Sequence, residues 1–236
     1  MATTLTTLRE RDTPVTLQLG DLAPDFVAAT ADGELRFHEW LGDGWGVLFS
    51  HPADFTPVCT TELGAVARLS DQFAARNTKV AAVSVDGAES HRAWIGDIEE
   101  TQDVRVGFPL IADPDRHVAS LYGMIHPRHD TTATVRSVFV IGPDKTVKLT
   151  LTYPASTGRD VGEILRVLDS LQLTAAHGVA TPADWRSGDD VIITPPVSDE
   201  EAARRFPGYH AVKPYLRITP DPRSSPRPFP TTSREG

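Results

Sequence analysis

FSHPADFTPVCTTELG, residues 49–64, holds the chain's single cysteine, Cys59, at the point where an apolar run gives way to a helical pattern. Upstream, WGVLFSH (45–51) is a short apolar run between Gly44 and Pro52 and reads as a buried strand. Downstream, Leu63, Val66, Ala67, Leu69 and Phe73 recur at helical spacing in one helix that closes at Asn77. Pro57 suits such a boundary, because a proline in the first turn gives up no helical hydrogen bond. The stretch is therefore a strand that feeds a helix, with a thiol in the first turn.

The same alternation continues along the chain. KVAAVSVD (79–86) and FPLIAD (108–113) read as strands, and SHRAWIGDIEE (90–100, behind a Ser90 cap) and DRHVASLYGM (115–124) as helices. In RSVFVIGPDKTVKLTLTY (136–153) two β-branched runs flank Gly142-Pro143-Asp144-Lys145, an antiparallel hairpin. GRDVGEILRVLDSLQL (158–173) then presents Val161, Ile164, Leu165, Leu168 and Leu171 on one side of a helix. Strands and helices in this order predict an α/β fold, a mixed β-sheet flanked by helices of thioredoxin-like type. Composition changes after Thr174, where prolines break up short apolar pieces. The expected organisation is an N-terminal extension (1–14), a thioredoxin-like domain (15–174), a C-terminal arm (175–219) and a Pro- and Ser-rich tail (220–236) expected to be disordered.

The formal charge of −9 over 236 residues disfavours nucleic acid and anionic membranes as partners. No apolar run approaches the ~20 residues that span a bilayer. MATTLTTLRERDT lacks the continuous apolar segment of a signal peptide. One cysteine rules out an intrachain disulfide, and the expected location is the cytoplasm. His117, His126 and His129 lack regular ligand spacing and read as solvated, so no metal and no cofactor is expected.

A thiol attacks only as its thiolate. Unpaired N–H groups and the dipole at a helix start favour that anion at Cys59, and Thr56 can turn its hydroxyl into the same pocket. A lone cysteine also packs as a small hydrophobe; its place at a helix start among Thr56, Thr60 and Thr61 is what favours the nucleophile. Lowering a thiol from about 8.5 to roughly 6 raises its thiolate fraction only some thirtyfold at neutral pH. Enzymatic rates ask for at least ~10⁶. Fixed donors for the leaving group are therefore needed, and an arginine from elsewhere in the chain is expected to supply them.

HPADFTPVCTTE contains Pro-x-x-x-Thr-x-x-Cys as Pro52, Thr56 and Cys59, and with it the sequence resembles the peroxiredoxins. The likeness runs from GDLAPDF (20–26) to about residue 219, and VATPADW with the long C-terminal arm is similar to the one-Cys subgroup. The resemblance implies an antioxidant, thiol-dependent peroxidase that reduces hydrogen peroxide and small organic hydroperoxides. Cys59 would become a sulfenic acid, Thr56 would bond the peroxide, Pro52 would shield the site, and Arg136 would be the distant guanidinium. His51, Glu62 and Arg159 match positions that line or brace the pocket; read alone, Glu62 is equally a helix-face carboxylate and Arg159 a surface charge. Without a second cysteine, an external thiol, from a small molecule or a protein, must restore the enzyme. A homodimer or a larger ring is the implied assembly. Some one-Cys relatives are associated with a phospholipase activity attributed to a histidine, an aspartate and the serine of Gly-Asp-Ser-Trp-Gly. Here His38 and Asp144 match but Gly44 replaces the serine, so no serine-dependent lipase is expected.

Overall fold

The structure, a computed structural model, describes residues 17–224. The extension 1–14 and residues 225–236 of the tail lie outside the described residues. The chain divides into two compact units between Val161 and Gly162, so the composition shift after Thr174 falls inside the second unit.

The first unit is built on a seven-stranded mixed sheet. Its strands are β1 (Val27–Thr30), β2 (Gly33–Arg36), β3 (Trp45–Ser50), β4 (Thr78–Ser84), β5 (Leu110–Ala112), β6 (Arg136–Ile141) and β7 (Val147–Tyr153), in the order β2-β1-β5-β4-β3-β6-β7. β3, β4 and β5 run parallel, and every other pairing is antiparallel. The helices α1 (Phe37–Leu41), α2 (Pro57–Arg68), α3 (Ser70–Ala74), α4 (Ala88–Gln102) and α5 (His117–Leu121) connect the strands. β3 and β6 are buried along almost their whole length, which is why both read as unbroken apolar runs. Leu48, Ala81, Ile111, Val118, Phe139 and Ile141 belong to one core cluster. This is a thioredoxin-like arrangement, as the spacing of strands and helices predicts.

Two local readings change. The helix expected from the cysteine to Asn77 is two helices, because Leu69 leaves the helical region (φ −102°, ψ 10°) and the Ser70 hydroxyl donates to the Ala67 carbonyl. Ser90 is not a cap: α4 starts earlier, at Ala88 with Gly87 as its N-cap, and Ser90 sits inside it with its hydroxyl donating to Asp54. The β1–β2 hairpin and α1 carry no strong pattern in so few residues, and the pairing of β1 with β5 joins the hairpin to the sheet. The 136–153 hairpin forms as expected, with Lys145 in the left-handed region (φ 62°) closing its turn.

The second unit opens with α6 (Val161–His177) and holds a four-stranded sheet, order β10-β11-β9-β8. Its strands are β8 (Val179–Ala180), β9 (Val191–Ile193), β10 (His210–Lys213) and β11 (Leu216–Thr219), with α7 (Asp199–Arg205) between β9 and β10. Trp185, Val191, Ile193 and Phe206 fill its core. The short apolar pieces DVIIT (190–194) and YLRIT (215–219) thus contain β9 and β11, recruited into a sheet despite the prolines around them.

Candidate active site

β3 ends at Ser50, and the chain then loops through Pro52 to Phe55 before α2 begins. Phe55 takes a left-handed conformation (φ 54°), unusual for a bulky side chain. Thr56 is the N-cap, Pro57 follows it, and Cys59 is the third helical residue, fully buried. Thr56 gives the helix no side-chain cap; its hydroxyl donates to the Ala53 carbonyl at 2.9 Å. No capping oxygen of Thr56 therefore competes for the first-turn N–H groups, and the Thr56 oxygen keeps its lone pairs to accept a hydrogen bond.

Arg136 reaches this turn from the start of β6. Its Nη1 lies 3.4 Å from the Cys59 sulfur and donates to Glu62 Oε2 at 2.6 Å, while Nε and Nη2 both donate to the Ala155 carbonyl. Glu62 stands one helical turn after Cys59 and is shared with a second arginine. Arg159 donates to it through its backbone N–H, Nε and Nη2 at 2.7–2.8 Å, and through Nη1 to the carbonyls of Ser50 and Ser137. The Arg159 guanidinium also lies over the Phe49 ring, 4.9 Å from its centre. All three side chains are at most 4% exposed, so Glu62 is no helix-face carboxylate and Arg159 no surface charge.

Burial alone would push the Glu62 carboxyl up, but the hydrogen bonds and charge of Arg159, with Arg136 beside it, hold it below its ordinary value. Two guanidinium groups against one carboxylate leave one positive charge over. Opposite unit charges 4 Å apart attract by roughly 4 kcal/mol at an effective dielectric of about 20. The anion best placed to answer that excess is the thiolate of Cys59. Arg136 Nη1, 3.4 Å from the Cys59 sulfur, is placed to stabilise negative charge that forms there.

Comparison with known proteins assigns the family. The model of the AhpC/TSA family matches residues 19–150, and that of the C-terminal domain of 1-Cys peroxiredoxin matches residues 170–208. The chain is similar to 1-Cys peroxiredoxin of Dictyostelium discoideum, 55% identical over 207 residues, covering 87% of this chain and 86% of that one. It is similar to human Peroxiredoxin-6, 50% identical over 223 residues, covering 89% of this chain and all of the other. The chain belongs to the one-Cys peroxiredoxins.

Two solved structures agree. A cysteine-to-serine mutant of peroxiredoxin 6 from Arenicola marina superposes with a TM-score of 0.84 at 48% identity, covering 88% of this chain and all of that one. A yeast mitochondrial 1-Cys peroxiredoxin, whose thiol is resolved via glutathione/thioredoxin systems, gives 0.83 at 50% identity, covering 87% of this chain and all of that one. As a one-Cys peroxiredoxin the chain is a thiol-dependent peroxidase, an antioxidant oxidoreductase.

Beside the arginine cluster this peroxiredoxin carries a second buried polar network, which the sequence did not disclose. His51, placed by the end of β3, bonds Asp54 Oδ1 through Nε2 at 3.0 Å. Asp54 Oδ2 accepts from His91 Nδ1 at 2.8 Å and from the Ser90 hydroxyl at 2.7 Å, both on α4. The Asp54 N–H is held in turn by Asp86, after β4. His51, Asp54 and His91 bring metal-type donors within 4.8 Å of one another. Both carboxylate oxygens of Asp54 already accept hydrogen bonds, while His51 Nδ1 has no partner among the described residues. His91 and Asp54 carry no sequence signal, because they stand 37 residues apart and only the parallel β3–β4–β5 order brings α4 over the loop. His117, His126 and His129 are exposed. His38 Nε2 lies against the Ala23 carbonyl at 2.8 Å, while Asp144 is engaged by Thr146 and Lys148. At Gly44 an added Cβ would come within 3.0 Å of the Asn77 carbonyl.

Proposed function

We propose that Cys59 is the peroxidatic nucleophile and that hydrogen peroxide and small organic hydroperoxides are its substrates. Cys59 attacks one peroxide oxygen, becomes a sulfenic acid and releases water or an alcohol. Arg136 stabilises both the thiolate and the charge that develops on the leaving oxygen. Thr56, its own proton spent on Ala53, accepts the hydrogen bond of the incoming peroxide. Glu62 and Arg159 hold Arg136 in register, and Pro52 and His51 line the pocket. The observation that carries these roles is the 3.4 Å approach of Arg136 Nη1 to the Cys59 sulfur.

With no second cysteine in the chain, reduction of the sulfenic acid falls to an external thiol, glutathione or a thioredoxin-type protein, as for the yeast relative. Such a cycle needs a compartment that keeps thiols reduced, which favours the cytoplasm. The large exposed side chains Val212 and Tyr215 on the C-terminal arm support a homodimer. The test is peroxide consumption with glutathione, thioredoxin or ascorbate supplied in turn, with light scattering for the mass. Sustained turnover with a thiol and none with Cys59→Ser is the expected result; one stoichiometric oxidation without turnover would instead describe a sensor.

A further inference from the structure

The second unit carries a groove of about 460 Å³ beside the turn between β10 and β11. Two loops line it: Pro195 and Val197 come from the segment after β9, Pro214 and Tyr215 from the β10–β11 turn. Tyr215 is 74% exposed, the most exposed aromatic ring among the described residues. Arg217 holds the groove in shape. Its buried guanidinium donates to Asp199 Oδ1 at 2.8 Å and to the Thr194 and Val197 carbonyls at 2.9 and 2.7 Å. β11 is thereby tied to the loop after β9, and an occupant would meet a surface that is already ordered. The Asp199 side chain is itself 82% exposed and puts negative charge at the rim.

The chain supplies a segment of matching chemistry. Residues 225–236, SPRPFPTTSREG, lie outside the described residues and follow directly on Ser224. Pro226, Pro228 and Pro230 alternate with Arg227 and Phe229. A residue before proline is pushed towards the extended polyproline II region, and such segments dock on aromatic-lined grooves at a low cost in conformational freedom.

The geometry allows the segment to return. β11 ends at Thr219, and the Ser224 N–H donates to the Asp221 carbonyl at 2.9 Å, which makes a turn just after the strand. That turn is anchored: Asp221 is buried and accepts from the backbone N–H, Nε and Nη2 of Arg223, whose guanidinium lies over Trp185. Tyr215 stands four residues before Thr219, about 13 Å along an extended chain. From Ser224 to Phe229 a polyproline II segment covers about 16 Å, at ~3.1 Å per residue. Phe229 can therefore reach back to Tyr215.

We propose that residues 225–236 dock in the groove of their own chain, with Phe229 against Tyr215 and Pro214 and Arg227 against Asp199. The docked segment covers the Tyr215 ring that a second copy would otherwise meet, and leaves Val212 on β10 uncovered.

The test compares amide hydrogen exchange in the full-length protein and in the chain stopped after Ser224. Without the segment, exchange at Val197–Asp199 and Tyr215–Arg217 is expected to be about tenfold faster, the rest of the second unit unchanged, and a synthetic peptide of residues 225–236 to restore the protection. Tenfold corresponds to a peptide Kd of about 0.1 mM when the tethered segment has an effective concentration of ~1 mM. Phe229→Ala in the full-length protein is expected to lose the same protection. A photoreactive benzoylphenylalanine at position 229 reads which chain is bound: in a mixture of ¹⁴N- and ¹⁵N-labelled protein, cross-links to Tyr215 or Pro214 should carry a single isotope. Equal exchange with and without the segment, or parent-like exchange in Phe229→Ala, overturns the docking. So does faster exchange spread evenly over the second unit, which would reflect lost stability alone. Cross-links of mixed isotope would make the occupant a second copy's segment and overturn the proposal as stated.

Discussion

Two buried carboxylates flank the active-site turn, and each is shared by two cationic-type side chains. Glu62 is shared by Arg136 and Arg159, Asp54 by His51 and His91. The arrangements look alike, yet their chemistry differs because guanidinium groups do not lose their protons in proteins and imidazoles do. The arginine network is a fixed charge with one positive unit uncancelled, suited to holding a thiolate and a leaving oxygen. In the histidine network burial pushes His51 below its ordinary value, so its imidazole gives up its proton more readily than a free one. The two carboxylates therefore differ in whether the groups that share them keep a fixed charge or can titrate.

The largest effect that can break this comparison is loss of the nucleophile. Cys59→Ser is expected to abolish thiol-dependent peroxide consumption while both networks stay intact, as measured by steady-state assay and circular dichroism. Next comes the fixed charge: Arg136→Ala is expected to lower the rate of Cys59 oxidation on the order of 10²–10³-fold. A loss of only a few-fold would mean that the uncancelled charge is not what stabilises the reaction.

Stability against pH sharpens the contrast, because the signs can be worked out. His51 has a folded pKa below its ordinary 6.5, so the unfolded chain binds more protons just under that value. Its contribution to stability is therefore complete above pH 6.5 and lost as pH falls through the lowered folded value. Glu62, also lowered, begins to cost stability only below its ordinary 4.5. Thermal melts should accordingly soften from about pH 6.5 downward and steepen again below about 4.5. A flat melting temperature between pH 7 and 5 would remove His51 from the titrating network.

The smallest effects belong to groups outside both networks. Asp144 is held down to about 2, chiefly by its hydrogen bond with Lys148, but the Asp144 side chain is 57% exposed. Lys148→Ala should therefore cost at most about 1 kcal/mol in chemical denaturation. His38→Ala should leave phospholipid ester hydrolysis unchanged at zero, since Gly44 offers no nucleophile; hydrolysis that depends on His38 would contradict this.

Much of the peroxidase unit was legible in the chain. The buried strand before Pro52, the proline-led helix start and the 136–153 hairpin follow from local spacing, which neighbouring residues enforce without help. The break at Leu69 was not legible, because helical periodicity continues through it and only the Ser70 hydroxyl and the local backbone interrupt it. Ser90 looked like a cap for a similar reason: a serine before an apolar helix has the right composition, and its true partner lies 36 residues away.

The sequence by itself determined where the thiol stands, since a single cysteine in the first turn of a helix is a local fact. It also required an arginine from afar, by the size of the rate that a lowered thiol alone cannot reach. Tertiary structure alone decided that Glu62 is shared by two arginines and Asp54 by two histidines. Those pairings join residues as many as 97 positions apart, and a charge buried at such a separation has no periodicity for the sequence to display. Sheet order brings the partners together, and the cost of burying any one of them alone keeps them there.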